Sequence, residues 1–592
     1  MKSIEAFLTD TFLQAFEKCY GETPDSKILQ IQKTKKEFTG DFTVNVFPFL
    51  KISKSKPEET ATKMGTELTK SHEEIQDFNV IKGFLNLSFS DEFWIESLKK
   101  IAQKENFGYS EPQEETVLVE FSSPNTNKPL HLGHLRNIFL GDAVSNILRA
   151  AGKKVVRTQI INDRGIHICK SMVAFMEFDP EATPENTGKK GDHLVGDFYV
   201  KFDQEFKNQI RVLEEEGLSH DEAKEQAPIM MKARETLKKW EAGDPDTVAL
   251  WEKMNSWVYA GFDVTYEALN IQFDKLYHES QTYLKGRDIV RDGVKNNLFY
   301  QKENGSTWVD LTDEGLDEKL LLRADGTAVY MTQDIGTAIL RANDFPGLKS
   351  MVYTVGNEQD YHFQVLFKIL AKLGYSWASD CYHLSYGMVE LPDGKMKSRE
   401  GNVVDADDLI RVMKENAKEQ GVDRGNYEEL SSTEREDLAK KVSLAALKYF
   451  ILKVDPKKNM TFDPKESIDL NGDTGPFIQY TYARTASILQ KAGGVNTDFT
   501  YSTPENYERE VIKQLYRFPE IIAEAAAKYN PASVARYCFE TAKLYNTFYQ
   551  NTPIFHASGE NIIQQRVLLS AQVGKVLKTG MDLLGIEVPE RF

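Results

Sequence analysis

The chain predicts a multidomain α/β plus α protein, and three observations predict it. Residues 116–165 read as strand, loop, helix, strand. Strand and helix signals alternate up to about Phe178, give way to a charged helical stretch, and resume after about Phe262. From Asn471 the pattern is helical only, rich in Tyr and Arg. At 592 residues the chain is too long for a single core.

Taken in order, residues 1–110 form an α+β unit: an opening helix, a strand near GDFTVNVFPFL, a helix from about Pro57 to Glu74, and a closing strand in NVIKGFLNLSF. Residues 111–410 form an α/β unit, with a helical insertion over about 180–262 that joins the two halves of a nucleotide-binding sheet. That insertion is too short for a separate editing domain. Residues 411–470 are charged and helical and read as a connector, and 471–592 form an all-α unit. The composition, 41% hydrophobic and 28% charged, is globular. No apolar run has membrane-spanning length, and the first residues lack the basic start and cleavage site of a signal peptide. The four cysteines, Cys19, Cys169, Cys381 and Cys538, are far apart, which argues against a zinc ribbon or disulfide framework and suits a reducing cytosol. A net charge of -17 disfavours nucleic-acid binding unless basic residues cluster locally.

Within 116–165, the run TVLVEF is β-branched and apolar, as a buried strand should be. Ser122 to Pro129 is a loop by composition. From Leu132 the apolar residues Leu135, Phe139, Ala143 and Ile147 share one helical face, and Gly152 ends the helix. His131-Leu132-Gly133-His134 therefore sits where a helix begins after a strand. Free backbone N–H groups and the helix dipole favour phosphate there, and Gly133 lets a nucleotide lie close. The two histidines, with Lys128 and Arg136 nearby, are candidate donors to phosphate oxygens. Two capping histidines or half a zinc site would give the same four residues, although no further Cys or His lies near enough in sequence to complete one.

The flanks add a resemblance. HLGH resembles the HIGH signature of class I aminoacyl-tRNA synthetases, and EFSSPNTNKPLHLGHLRN is similar to its arginyl version. The resemblance implies a class I Rossmann-type catalytic domain, an N-terminal added domain contacting tRNA and a C-terminal α-helical anticodon-binding domain. It implies ATP-dependent activation of L-arginine and transfer to tRNA(Arg), ATP with Mg²⁺, no zinc, a cytoplasmic protein and a monomer. His131, His134 and Lys395 would be catalytic. Pro129, Gly133, Met396, Lys397 and Arg399 would join them around ATP. The loop Lys395-Met396-Lys397-Ser398-Arg399 occupies the KMSKS position but has Ser398 where the consensus has Lys. For arginine the resemblance nominates Glu120, Asn125 and His131 at the amino-acid end, Tyr330 and Asp334 for the guanidinium, and Gln359 as a further polar contact. For tRNA it nominates Phe84 and Asn86, then Gln479, Tyr480 and Arg484, with Tyr545 and Tyr549 four apart on one helical side. Lys51-Ile52-Ser53-Lys54-Ser55 imitates KMSKS but precedes HLGH, and reads as a solvated loop. The rivals are a class I synthetase for another amino acid, a small-substrate nucleotidyltransferase and a non-catalytic tRNA-binding paralogue. No P-loop is present.

Overall fold

A computed structural model describes residues 4–35, 37–392, 404–422 and 430–592. The N-terminal unit is a four-stranded antiparallel sheet, β1 (Gln30–Lys33), β2 (Phe42–Asn45), β3 (Ile75–Ile81) and β4 (Phe84–Phe89), in the order β1-β2-β4-β3. It is packed against α1 (Ile4–Tyr20), α2 (Pro57–Ser71) and α3 (Asp91–Gln103). Leu8, Phe12, Ala15 and Phe16 of α1 fall on one face at helical spacing and are buried. Lys82 and Gly83, with φ of 49° and 79°, make the two-residue turn that joins β3 to β4. The KMSKS-like run at 51–55 is not a solvated loop throughout. Leu50–Ser53 form a helical turn, and the buried Ser53 hydroxyl meets Thr60 Oγ1 at 2.9 Å.

The central sheet has five parallel strands: β5 (Thr116–Glu120), β6 (Lys154–Ile161), β7 (Lys275–His278), β11 (Leu348–Gly356) and β12 (Tyr382–Tyr386). Their order is β12-β11-β5-β6-β7. Every residue of β5 is buried, which is why Val117, Leu118 and Val119 run apolar without alternation. The chain leaves β5 toward β6 on one side and later builds β11 and β12 on the other. The crevice at the C-terminal ends of β5 and β11 is thus a topological switch point. α4 (Leu132–Ala150) follows β5, with Gly152 just beyond its end at φ 89°.

Between β6 and β7 lies the insertion, built mainly from α5 (Ile166–Phe178), α6 (Gly191–Glu215), α7 (Pro228–Glu241) and α8 (Pro245–Ala268). α6 and α8 approach closely at Gly191, where an added Cβ would stand 2.0 Å from Trp257 O. A small antiparallel sheet, β8 (Tyr300–Gln301), β9 (Thr307–Val309) and β10 (Lys319–Leu322), follows β7 and precedes α9 (Tyr330–Asp344). The sequence reading did not anticipate it. α10 (Asp360–Lys372) follows β11. After β12 the chain forms β13 (Val389–Glu390), which pairs in parallel with β14 (Met460–Thr461). Residues 411–470, read as a connector, thus also contribute a strand, besides most of α11 (Ala406–Val422) and all of α12 (Ser432–Leu452).

The C-terminal unit includes α13 (Gly475–Ala492), α14 (Asn506–Tyr516), α15 (Pro531–Asn551) and α16 (Glu560–Leu583). The N-terminal unit docks on α14. Lys513 Nζ lies 2.5 Å from Asp41 Oδ1, Arg509 pairs with Asp91, and Trp94 meets Tyr516 edge-on at 6.0 Å. Among the described residues, no helix is long and apolar enough to cross a membrane.

Candidate active site

The loop leaving β5 is strained. Ser122 and Ser123 have φ of 70° and 45°, a region that costs a non-glycine residue about 1–3 kcal/mol. Asn137, on the second turn of α4, holds the loop in place. Its Oδ1 accepts from Ser122 N at 2.5 Å, and its Nδ2 donates to Thr354 O of β11 at 2.6 Å. One side chain therefore bridges the two strands at the switch point. The loop leaves Asn125 exposed beside this edge and brings the chain to the start of α4.

His131 is the N-cap residue of α4. Its backbone N–H donates to His134 Nδ1 at 3.1 Å, and the two imidazole rings lie 3.8 Å apart. Because Nδ1 of His134 is an acceptor, its neutral ring carries the proton on Nε2, which is left free to donate. Burial, with Lys128 adding to it, pushes His131 down to about 4. Burial, then His131 and Lys128, push His134 well below the usual histidine range. Both rings are thus neutral donors at pH 7. An added Cβ at Gly133 would stand 3.0 Å from His131 Cε1, so glycine leaves room for the ring over the first turn. Gly196 of α6 packs against Pro129, where a Cβ would come within 2.9 Å of Cδ.

Lys395, Met396, Lys397 and Arg399 lie outside the described residues, but both flanks of their segment are described and both reach α4. On the far side, Leu132 N donates to Val404 O at 2.9 Å and Ala406 N to Leu130 O at 3.0 Å. On the near side, Arg136 donates to Met388 O at 3.0 Å, Pro456 O at 3.1 Å and Lys458 O at 2.6 Å. This corrects the expectation that Arg136 serves phosphate. Its guanidinium is fully buried and committed to these three carbonyls, so it ties the strand before the basic loop to the helix of the histidines.

The amino-acid candidates lie around the same sheet edge. Glu120 is buried. It pairs with the buried Arg341 and accepts from Ser123 Oγ at 3.1 Å, so a ligand ammonium would share it with Arg341. Tyr330 and Asp334 occupy the first two turns of α9; Tyr330 is 80% exposed, and Asp334 Oδ2 lies 2.6 Å from His362 Nε2. Gln359 is exposed at the start of α10.

Sequence reasoning missed two acids, each just past the end of a parallel strand. Asp163, two residues after β6, accepts from Ser280 N at 2.9 Å, Ser280 Oγ at 2.8 Å and Tyr259 OH at 3.0 Å, joining β6, β7 and the insertion. Glu279 directly follows β7. Burial, with the charges of Asp163 and Asp334, pushes its carboxyl up, while Arg164 at 3.9 Å opposes them. The available signal was position alone: an acid at the carboxyl end of a parallel strand.

The RNA-facing candidates divide. Gln479 is not at the surface; it is fully buried and donates to Lys441 O at 3.1 Å and Glu587 O at 2.7 Å. Tyr545 is likewise fully buried, inside the core with Phe548. Tyr480, Arg484 and Tyr549 instead line a cavity of about 910 Å³ with Phe555, His556 and Phe592. There the Arg484 guanidinium lies 5.1 Å from the Tyr480 ring and 4.8 Å from that of Tyr549. Asn86 is buried and accepts from Thr43 Oγ1 at 2.6 Å, so it too is withdrawn from the surface. Phe84 is part-exposed, edge-on to the exposed Phe47 at 5.6 Å.

Among the described residues, one group could be mistaken for a metal site: Asp192, His193 and Asp407. The Lys190 ammonium already sits among its carboxylates, 3.2 Å from Asp192 Oδ2 and paired with Asp407.

The fold agrees with that of known proteins. Residues 97–463 match the model of the class I (R) tRNA synthetase catalytic domain, 478–592 that of the DALR anticodon binding domain, and 6–89 that of the arginyl tRNA synthetase N-terminal domain. The chain is 52% identical to an arginine–tRNA ligase of Phocaeicola vulgatus and 53% identical to one of Bacteroides thetaiotaomicron, all of each chain being covered. Its fold matches that of the Thermus thermophilus arginyl-tRNA synthetase with a TM-score of 0.80 at 24% identity, over the whole of both chains. The chain belongs to the arginine–tRNA ligase family of class I aminoacyl-tRNA synthetases.

Proposed function

We propose that the crevice between β5 and β11 forms arginyl-adenylate from L-arginine and ATP and passes the arginyl group to the 3′ end of tRNA(Arg). The observation that carries this reading is the pair of neutral histidines at the start of α4, with both flanks of a basic loop fastened to the same helix. In the first step the arginine carboxylate attacks the α-phosphate of ATP and pyrophosphate leaves. His134, donating through Nε2, and His131 stabilise the charge that grows on the phosphate oxygens. Lys395, Met396, Lys397 and Arg399 hold the β- and γ-phosphates. Mg²⁺ arrives on the nucleotide, and no zinc is needed. In the second step a terminal ribose hydroxyl of the tRNA attacks the arginyl carbonyl and AMP leaves. No side chain forms a covalent bond, so catalysis is positioning and charge stabilisation.

Asp334 and Glu279 receive the guanidinium, whose fork of donors suits two carboxylates. Burial among like charges at Glu279 is a strain that a cationic ligand relieves. Tyr330 and Gln359 border the same ligand, and Asn125 and Glu120 face its amino-acid end. The cavity around Arg484 takes an unpaired anticodon base by stacking, and Phe84 meets the body of the tRNA. The protein works as a cytoplasmic monomer.

The test is a charging assay with ATP, Mg²⁺, bulk tRNA and each of the twenty labelled amino acids in turn. Arginine alone is expected to become acid-precipitable. Label from another amino acid would overturn the substrate, and no label with ATP binding intact would overturn the activity.

A further inference from the structure

Where the insertion meets the far flank of the basic loop, charged groups from three elements converge. His193, near the start of α6, has Nε2 at 3.1 Å from Asp407 Oδ2 and 3.4 Å from Asp405 Oδ2. Lys190, just before α6, pairs with Asp407, lies 3.2 Å from Asp192 Oδ2 and donates to Thr265 Oγ1 of α8 at 2.6 Å. Thr265 in turn donates to Asp407 Oδ1 at 2.8 Å. Asp405 caps α11, accepting from Asp407 N at 2.9 Å and Asp408 N at 3.1 Å. The same Asp405 forms a bridge with His131. An unbroken chain of contacts thus runs from the insertion, through two aspartates, to the backbone of a proposed catalytic histidine.

We propose that His193 is a positioning residue for adenylate formation: by holding Asp405 and Asp407 it keeps residues 404–406 paired with 130–132 and so fixes the His131 helix start. This rests on the reading of the site given above. Without His193, Asp405 and Asp407 face each other with the Lys190 ammonium paired to Asp407, and Asp405 keeps its two backbone N–H donors but loses its cation. Their repulsion acts on a segment, 404–406, that hydrogen-bonds directly to Leu130 and Leu132. The groups facing His193 are Lys190 and Asp192 from its own segment and Asp405 and Asp407 from the start of α11. The Asp407 hydrogen bond raises His193 above the ordinary histidine value, against burial and Lys190. Asp407 is held down to about 2, although burial would raise it, by His193 and Lys190. The imidazolium that grips both aspartates is therefore lost only as pH rises through a value above 6.5.

The experiment compares the full-length wild type with His193→Ala and His193→Gln. It follows ATP–pyrophosphate exchange with tRNA present, from about pH 6 to pH 9, alongside melting temperatures. The Ala variant is expected to lose roughly tenfold to a hundredfold in kcat, since misplacing reacting groups by up to about 1 Å has that scale. Its KM for arginine should be unchanged, because the guanidinium acids sit on other elements. The Gln variant keeps a donor toward Asp407 and should recover most of the acid-side kcat. The ratio of wild-type to Gln kcat should fall as pH rises, because only the wild type loses a cation. An Ala variant with wild-type kcat, a loss that merely follows the melting temperature, or a pH-independent ratio would overturn the proposal. A wild type that charges no arginine would instead overturn the reading beneath it, and the proposal with it.

Discussion

The start of α4 and the cavity around Arg484 differ in what fixes their side chains. At the helix start, backbone position does it: His131 is the cap residue, Gly133 leaves room for its ring, and His134 returns to accept the cap N–H. In the C-terminal unit, neighbours on one helix part company. Gln479 is buried while Tyr480 lines the cavity, and Tyr545 is buried while Tyr549, one turn on, is 40% exposed. A residue at the end of an element inherits its role from that end. A residue in mid-helix takes its role from whatever packs on it, which its own sequence does not state.

Substitutions can break or sharpen this contrast. The largest effect is expected at the helix start. His134→Ala should lower kcat for arginyl-adenylate formation about 10²–10³-fold, as removal of one preorganised donor does. A loss under about threefold would remove His134 from the chemistry. Next, Asp334→Asn and Glu279→Gln should each raise the KM for arginine roughly 10- to 100-fold, the scale of a lost charge-assisted hydrogen bond, while the KM for ATP stays near wild type. In the C-terminal cavity, Arg484→Ala should raise the KM for tRNA roughly fivefold or more, the lower end of a lost stacking partner. Tyr545→Phe should leave that KM unchanged, and Gln479→Leu should lower the melting temperature without touching it. Reversed outcomes for Arg484 and Tyr545 would break the contrast outright.

The smallest effect is a slope. Histidines whose folded values lie below the unfolded 6.5 bind fewer protons folded than unfolded between those values, so stability rises with pH there. His131, at about 4, therefore takes stability away as pH falls from 6.5 toward 4. The wild-type denaturation midpoint should drop more between pH 7 and pH 4.5 than that of His131→Asn. Equal slopes would show that the ring is not held neutral.

The central α/β unit was legible because a buried parallel strand and a one-faced helix each leave a periodic trace, and 116–121, 132–151 and 154–161 lie within a residue of the elements formed. The sheet order was not legible, since nothing local in residues 348–356 says that they pair with 116–120. The same limit hid the burial of Asn86, decided by Thr43 on another strand, and the fate of Arg136, decided by carbonyls far along the chain. Asp163 and Glu279 escaped because single acids at strand ends carry no pattern.

Arg136 has a consequence for how the molecule is made. Its carbonyl partners lie 252, 320 and 322 residues further along the chain. At about 5–20 residues per second, the last of them leaves the ribosome roughly 15–65 s after Arg136. Until then the guanidinium has Met388 O but not its full set of three carbonyls, and the histidine helix is not yet closed over. Nascent chains shorter than about 458 residues should therefore carry an open, protease-sensitive catalytic unit, and translation stalled before that point should yield a fragment for quality control to clear.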